Sequence, residues 1–323
     1  MVGIAATLAS ACAATKNEAP DAGAGTAGTA GAGGAAGTGG HAGPLILPPI
    51  PDTGYTSTDI GGYLLGDEIQ AADIQMTIPA ESSTGCNRLR GIVRDFKGAL
   101  PAVGGSLQPG GHPDFEVFQG EMATKGLVAP DLQLPDRKPV YTAACEIGAA
   151  VSATCPYGAM TTSAANFQQW YSSVEGVNLT YFVYFQLAPG MMPGLSTFSS
   201  TAFFPLDGKG WGNSGLDGNG KPRNFSFTTE IHTTFRYNGG ETFNFAGDDD
   251  VWIFINGKLA VDLGGVHKNT QGSVDLDQAA ATLGIAKGQV YKLDLFNAER
   301  HSVNSDFHID MNFNFQDCGY IVP

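Results

Sequence analysis

Residues Phe243 to His267 read FNFAGDDDVWIFINGKLAVDLGGVH, and this stretch decides the fold. Two short apolar runs, Val251–Ile255 and Leu259–Val261, flank Asn256-Gly257. Asn-Gly between apolar runs is a hairpin signal, because both residues of the favoured two-residue turn need positive φ. Directly ahead of the first run stand Asp248, Asp249 and Asp250. Three adjacent carboxylates at the mouth of an apolar hairpin repel one another and gain nothing from burial. A hard divalent cation with oxygen ligands removes that conflict. For Asp248 and Asp249 both to face one cation, the alternation of an extended chain has to break between them, for instance at a cis peptide.

Outward from the hairpin the chain keeps a period of two. Phe225, Phe227, Ile231, Phe235 and Tyr237 fall on odd positions, with Ser226, Thr228, Glu230, His232, Thr234 and Arg236 between them. That is one long strand, or two, with one buried face. Tyr291, Leu293 and Leu295 repeat the pattern, and Phe307, Ile309, Met311, Phe313 and Phe315 do so most clearly. LRGIVRDF (Leu89–Phe96) reads as a further strand. Leu179 to Leu187 alternates too, but Phe182 and Tyr184 fall on its second face, which implies cover on both sides. Asp277 to Leu283 reads as a short helix stopped by Gly284. Asn166 is placed to cap another, carrying Phe167, Trp170, Tyr171 and Val174 at helical spacing. Many strands and one or two short helices predict an all-β fold, an antiparallel sandwich or barrel, over residues 86–323.

Composition bounds the setting. The chain has 323 residues, 45 of them glycine, with 15% charged residues and a formal net charge of −14. No basic stripe is visible, which argues against a nucleic-acid partner. Cys86, Cys145, Cys155 and Cys318 form an even set that fits two disulfides in an oxidising compartment. Four cysteines allow three connectivities; Cys145–Cys155 as a local closure and Cys86–Cys318 as a staple between the ends of the domain are favoured. Metal ligation by this set is disfavoured, since no C-x2-C pair is present. Residues 1–14 resemble a bacterial lipoprotein signal with small residues before Cys12, which implies a lipid-anchored protein at the cell surface or outer membrane. Residues 15–51, rich first in Ala, Gly and Thr and then in Pro, read as a disordered tether. Residues 52–85 read as an ordered arm or linker. No run of about 18 apolar residues exists, so contact with a membrane is expected only through the anchor.

The hairpin then acquires a family. GDDDVWIFING followed by KLAVDLGGVH resembles the signature of the fibro-slime domain family, within the protective-antigen-type β-barrel superfamily of carbohydrate-binding modules and adhesins. HPDFEVF, FQQWYSSVEGVN, FFPLDGKGWG, NFSFTTEIHTTFRY and LDLFNAERHSVNSDFHID, together with LRGIVRDF, resemble family blocks in family order, so the resemblance covers Cys86 to Asp317. It implies a protective-antigen-like lectin fold. It also implies a calcium ion held by two adjacent Asp residues joined by a cis peptide, as in flocculin-type adhesins. On this sequence the pair is Asp248 and Asp249. Asp250 stands where a Gly commonly follows, and Asn304 and Asp306 are candidates for a third side-chain ligand.

Around that cluster the strand ends offer more groups. His267, Glu299 and His301 follow Gly-rich turns or end a strand, where a β-fold builds a site; the plainer alternative pairs Glu299 with Arg300 and leaves both histidines on the surface. Trp211 lies in a loop from which it could stack on a sugar. Asp207–Gly210 and Asp217–Lys221 resemble fragments of calcium loops but read as turns, and His308 with Asp310 reads as a solvated strand face. No nucleophile elbow, zinc-protease helix or phosphate loop is present. The expectation is an extracellular, calcium-dependent carbohydrate-binding or adhesion module, not an enzyme, with glycans or surface proteins as partners. The alternatives are a structural matrix protein of slime or a surface layer, with calcium only structural, and a polysaccharide hydrolase, which needs two carboxylates about 5 Å apart.

Overall fold

The period-two runs become strands because each can lay one apolar face on a common core. The computed structural model describes residues 61–70, 86–98 and 111–322; the signal segment ending at Cys12, the 15–51 tether and most of the 52–85 arm lie outside the described residues. In chain order the elements are β1 (Gly62–Ile69), β2 (Arg88–Phe96), α1 (Ala164–Phe167), β3 (Asn178–Gln186), β4 (Ala188–Pro189), β5 (Ser196–Ser200), β6 (Gly215–Leu216) and β7 (Pro222–Arg223). They continue with β8 (Phe227–Tyr237), β9 (Thr242–Gly247), β10 (Asp250–Ile255), β11 (Lys258–Leu263), β12 (Thr270–Asp275), α2 (Leu276–Leu283), β13 (Gln289–Glu299), β14 (Phe307–Met311) and β15 (Asn314–Phe315). The part of the 52–85 arm that is described is thus a strand.

Two antiparallel sheets face each other. The larger runs β1-β3-β2-β8-β13-β10-β11, with β15 also on β8; the smaller runs β12-β9-β14-β5-β4. Between them lie Val93, Val183, Phe185, Phe198, Ile231, Phe235, Phe245, Ile253, Leu295, Phe307 and Ile309, all buried. The all-β sandwich with two short helices is therefore as expected. The run Phe307–Phe315 is not one strand, however. β14 pairs in the smaller sheet and β15 crosses to β8 in the larger, and both keep their odd residues in the shared core.

The larger sheet is buried on its second face as well. Residues 111–177 form an irregular cover whose Phe115, Phe118, Met160, Phe167, Trp170 and Tyr171 pack on Phe96, Trp252, Phe254 and Phe296 of the sheet. Phe182 and Tyr184, on the face opposite Val183, lie outside this cluster, with Arg90 and Arg88 over their rings at 5.7 and 5.0 Å. The capping expectation is corrected here. Ser163, not Asn166, caps α1, its hydroxyl accepting from Asn166 N at 3.2 Å, and the helix is a single turn. Phe167, Trp170 and Tyr171 nevertheless all reach the second core. α2 is capped by Asp275 and ends at Gly284, whose φ of 66° is the left-handed conformation of a helix stop. No helix among the described residues is long and apolar enough to cross a membrane.

Both favoured disulfides are present, Cys86–Cys318 and Cys145–Cys155, each with Cα atoms 5.4 Å apart. The first joins residues 232 apart. In the chain-entropy picture it contributes about 5 kcal/mol, against about 3 kcal/mol for the shorter bridge inside the cover. It brings β2 beside the chain that follows β15. Arg90 N donates to Cys318 O at 2.8 Å, and β2 and the 314–320 segment occupy successive stretches of the same edge of β8.

Charges as well as rings hold the cover down. From the cover, Lys138 reaches Glu230 at 2.5 Å and Arg137 Nε donates to Asp294 at 2.8 Å, while Arg94 of β2 meets Glu230 at 2.6 Å within the sheet. His232 sits between the two carboxylates, donating from Nε2 to Glu230 and from Nδ1 to Asp294 at 2.5 and 2.7 Å. Burial opposes protonation of His232, but Glu230 and Asp294 together outweigh it and raise its pKa above the ordinary 6.5. A histidine raised in the folded state adds stability that is complete below the unfolded value and is lost as pH rises through the folded one. The advantage of wild type over His232→Gln in urea unfolding is therefore expected to be largest below pH 6.5 and to shrink above it. An advantage that grew with pH would mean that His232 is neutral in the folded protein.

Candidate functional site

A sandwich that switches strands between sheets must carry connections across its ends, and three of them meet at one end. β9 passes to β10 through Asp248 and Asp249, β11 to β12 through residues 264–269, and β13 to β14 through residues 300–306. Gln119, Gly120 and Glu121 of the cover close a fourth side. Together they line a cleft of about 460 Å³ that includes Asp248, Asp249, His267, His301, Val303 and Asn304.

The Asp run is divided by strand geometry. Asp249 has φ of +52° and breaks the extended alternation there. The expected cis peptide between Asp248 and Asp249 is not present; the non-proline cis bond lies at Ser302-Val303, in the facing connection. Asp248 accepts from Asp306 N at 2.9 Å through Oδ2. Asp249 accepts from His267 N at 3.2 Å and from Arg300 N at 2.8 Å. Main-chain donors thus fix both carboxyl groups at the cleft. Asp250, already in β10, turns to the other face. It accepts from Arg300 Nε at 2.7 Å and from Gly265 N at 2.5 Å, both groups fully buried. Arg300 also donates to the carbonyls of Asp114 and Met160 in the cover at 3.1 and 3.0 Å and lies over the Trp170 ring at 4.6 Å.

Arg300 is ion-paired with Asp250, and among the described residues neither Asp248 nor Asp249 has an ion pair of its own. Burial pushes Asp248 up to about 7, with Asp306 and Asp249 adding repulsion against the opposing Asp306 N–H. It pushes Asp249 to about 6 against the attraction of Arg300. Glu299, behind the pair, is raised well above its ordinary value by burial and by Asp249, and Glu116 of the cover rises to about 8 for the same first reason.

The other expected residues divide. Asn304 lines the cleft beside the Asp pair, whereas Asp306 stays at its rim, accepting from Asn269 Nδ2 at 2.9 Å. His301 and His267 line it too, yet both ring nitrogens of His267 face carbonyls, those of Lys268 at 2.9 Å and Leu263 at 3.1 Å. Glu299 is 2% exposed and lies beneath the cleft rather than on its surface; the alternative pairing with Arg300 is replaced by Asp250–Arg300. Trp211 is 44% exposed but is not among the cleft residues; its main-chain N donates to Asp95 at 2.6 Å. Asp207 and Asp217 are bridged by Arg223 at 2.6 and 3.1 Å and form turns. His308 and Asp310 pair at 2.8 Å on the outer face of the smaller sheet. The cover residues Gln119 to Glu121 and the Glu121–Lys268 ion pair at the rim were not legible from sequence. Among the described residues no three His, Cys, Asp or Glu side chains already converge as a metal cage.

The fold and this end cleft define an all-β module whose polar chemistry is gathered on inter-sheet connections. Residues 207–322, which carry the Asp pair and every connection but the cover's, match the PA14 domain. Protein psiR of Dictyostelium discoideum is 37% identical over 225 residues, 65% of this chain and 21% of psiR. Protein psiJ of the same organism is 35% identical over 231 residues, 67% of this chain and 31% of psiJ. The chain thus spans between about a fifth and a third of the length of these curated relatives. The PA14 domain of the antifreeze protein MpAFP aligns over 74% of this chain and 94% of its own at 10% identity, with a TM-score of 0.24.

The buried pair makes its own test. Arg300→Met leaves Asp250 as an uncompensated buried charge and is expected to cost about 3–5 kcal/mol in denaturant unfolding. Asp250→Asn in the same chain is expected to recover part of that loss. An Arg300→Met protein as stable as wild type would show that the pair does not hold the cover.

Proposed function

We propose that this chain is an extracellular, non-catalytic binding module that engages glycans through a calcium ion held by Asp248 and Asp249, with Asn304 completing the side-chain ligands. The observation that carries the reading is the pair of carboxyl groups fixed by main-chain donors at the floor of a cleft, while the nearby guanidinium is spent on Asp250. The donor set fits the ion. It is made of hard oxygens, Asp248 Oδ1 has no hydrogen-bond partner among the described residues, and Glu299 Oε1 behind the pair is buried and unpartnered. Calcium, when bound, supplies coordination positions that sugar hydroxyls can fill. Asp248 and Asp249 hold it, the main-chain N–H groups of Asp306, His267 and Arg300 orient them, and the Glu121–Lys268 pair bounds the opening. The match to the PA14 domain and the block resemblance to fibro-slime proteins support an adhesive role. Two disulfides support a location outside the reducing cytoplasm. Attachment by a lipid at Cys12 completes the picture of a module displayed on a cell surface.

Calorimetry with CaCl2 compares wild type with Asp248→Asn/Asp249→Asn, and a glycan array is read with and without chelator. The expected results are calcium binding and a raised Tm in the wild type alone, and glycan binding that the chelator abolishes. A wild type whose Tm and heat signal ignore calcium defeats the mechanism. Calcium binding with no glycan binding instead favours a matrix protein in which the ion only stiffens the fold.

A further inference from the structure

The larger sheet is covered on its second face, but the outer face of the smaller sheet is open: Asn244, Gln271 and Ser273 are exposed there. Strand register sets the outward side chains in two rows that cross the sheet. Gln271, Ala246, His308 and Ser199 form one, on β12, β9, β14 and β5. Ser273, Asn244, Asp310 and Thr197 form the other, in the same strand order. Over β12, β9 and β14 the rows flank a hollow of about 280 Å³, to which Ala246 brings only a methyl group. Its polar groups are placed for a ligand. Asp310 is oriented by Thr197 Oγ1 at 2.5 Å and by His308 Nε2 at 2.8 Å, one bond to each carboxylate oxygen. Each oxygen keeps a further lone pair, and His308 Nδ1 is unused among the described residues. The side chains of Asn244, Gln271 and Ser273, all lining the hollow, make no hydrogen bond among the described residues. Neither row contains Lys, Arg or Glu, and its two charged groups, His308 and Asp310, pair with each other. No aromatic ring stands in either row.

We propose that this face is a carbohydrate site separate from the cleft: an extended, neutral polysaccharide lies across the strands between the two rows, held by hydrogen bonds and without calcium. The chemistry of the face selects the class. With no unpaired charge it offers little to a polyanion or a polycation. With no apolar patch it offers little to a membrane or an amphipathic helix. Amides, hydroxyls and a carboxylate, which between them both donate and accept, match the hydroxyls of a sugar. The spacing agrees. Neighbouring strands lie about 4.8 Å apart, close to the length of one pyranose unit in an extended β-1,4-linked chain. One sugar then falls on each strand and meets one residue of each row. The cleft lies among the connections at one end of the sandwich and shares no lining residue with this hollow, so the inference stands without the calcium reading.

The test titrates the full, isotope-labelled chain with cellohexaose in the presence of EDTA and follows the amide resonances. Those of residues 242–246, 271–275 and 307–311 are expected to shift at millimolar sugar, and those of 264–269 and 300–306 to stay. Asn244→Ala and Asp310→Ala are each expected to weaken binding about fivefold to tenfold, the worth of one or two hydrogen bonds. Asp248→Asn/Asp249→Asn is expected to leave it unchanged. Tryptophan fluorescence is expected to stay constant, since no ring takes part. The wild-type map needs no variant, so a misfolded substitution does not blunt it. No shift on this face, shifts confined to the cleft connections, or wild-type affinity in both Ala variants overturns the inference. Because EDTA removes calcium throughout, none of these outcomes bears on the calcium reading of the cleft.

Discussion

The buried pair between Asp250 and Arg300 is the interaction on which the rest of this molecule turns. It lies between strands β10 and β13, 50 residues apart in the chain, at 2.7 Å with neither group exposed. Two ions taken out of water are tolerated only when the remaining donors and acceptors are also met. They are met in part: Arg300 spends Nη1 on two cover carbonyls and its face on Trp170, Asp250 takes the main-chain N–H of Gly265, and Arg300 Nη2 is left buried without a hydrogen bond among the described residues. By engaging Arg300 Nε, the pair leaves Asp249 the Arg300 main-chain N–H and its attraction but no ion pair, and Asp248 none either, among the described residues. The structural and the functional halves of the Asp run are thus one arrangement, separated by a single change of strand face.

The second constraint is that the larger sheet is covered on both sides. That explains a sheet with Trp252, Phe254 and Phe296 on one face and Ile253 and Leu295 on the other, where a two-layer sandwich would show water-facing side chains. It also explains the buried charges. Glu230, His232 and Asp294 occupy face positions that would be solvated in an open sheet, and once the cover closes they need Arg94, Arg137 and Lys138.

Much of this was legible beforehand, and for identifiable reasons. Strand β8 declared itself because all its apolar residues fall on odd positions, shared there only with Thr229 and Thr233, and the β10–β11 turn because Asn256 and Gly257 both take positive φ, at 54° and 77°. The two disulfides followed from the four cysteines beyond Cys12, two of them close in sequence and two near the ends of the domain. The Asp pair stood out because three adjacent carboxylates ahead of an apolar strand repel one another, although an acidic turn that solvates the strand entry reads the same way in sequence. The cover was not legible: residues 111–177 have almost no regular structure, so no period marks them. Neither was the partner of Arg300, because a pairing across 50 residues leaves no local trace. Chain reversal at Asp249 by a left-handed residue, rather than by a cis bond, is equally invisible, since both solutions serve the same two carboxylates. Trp211 is the converse case: an exposed aromatic in a Gly-rich loop fits many surfaces, and here its loop is tethered to Asp95 and it does not line the cleft.

The shared edge of β8 has a consequence in time. Residues 227–230 of that strand pair with β2, but residues 232–236 wait for the chain beyond Asn314. A polypeptide emerging in order therefore holds half of its central strand's edge open until nearly 90 more residues have appeared. Contacts of such sequence separation close slowly. The Cys86–Cys318 bridge can be sealed only after that closure, so correct oxidation reports that folding has finished rather than guiding its start.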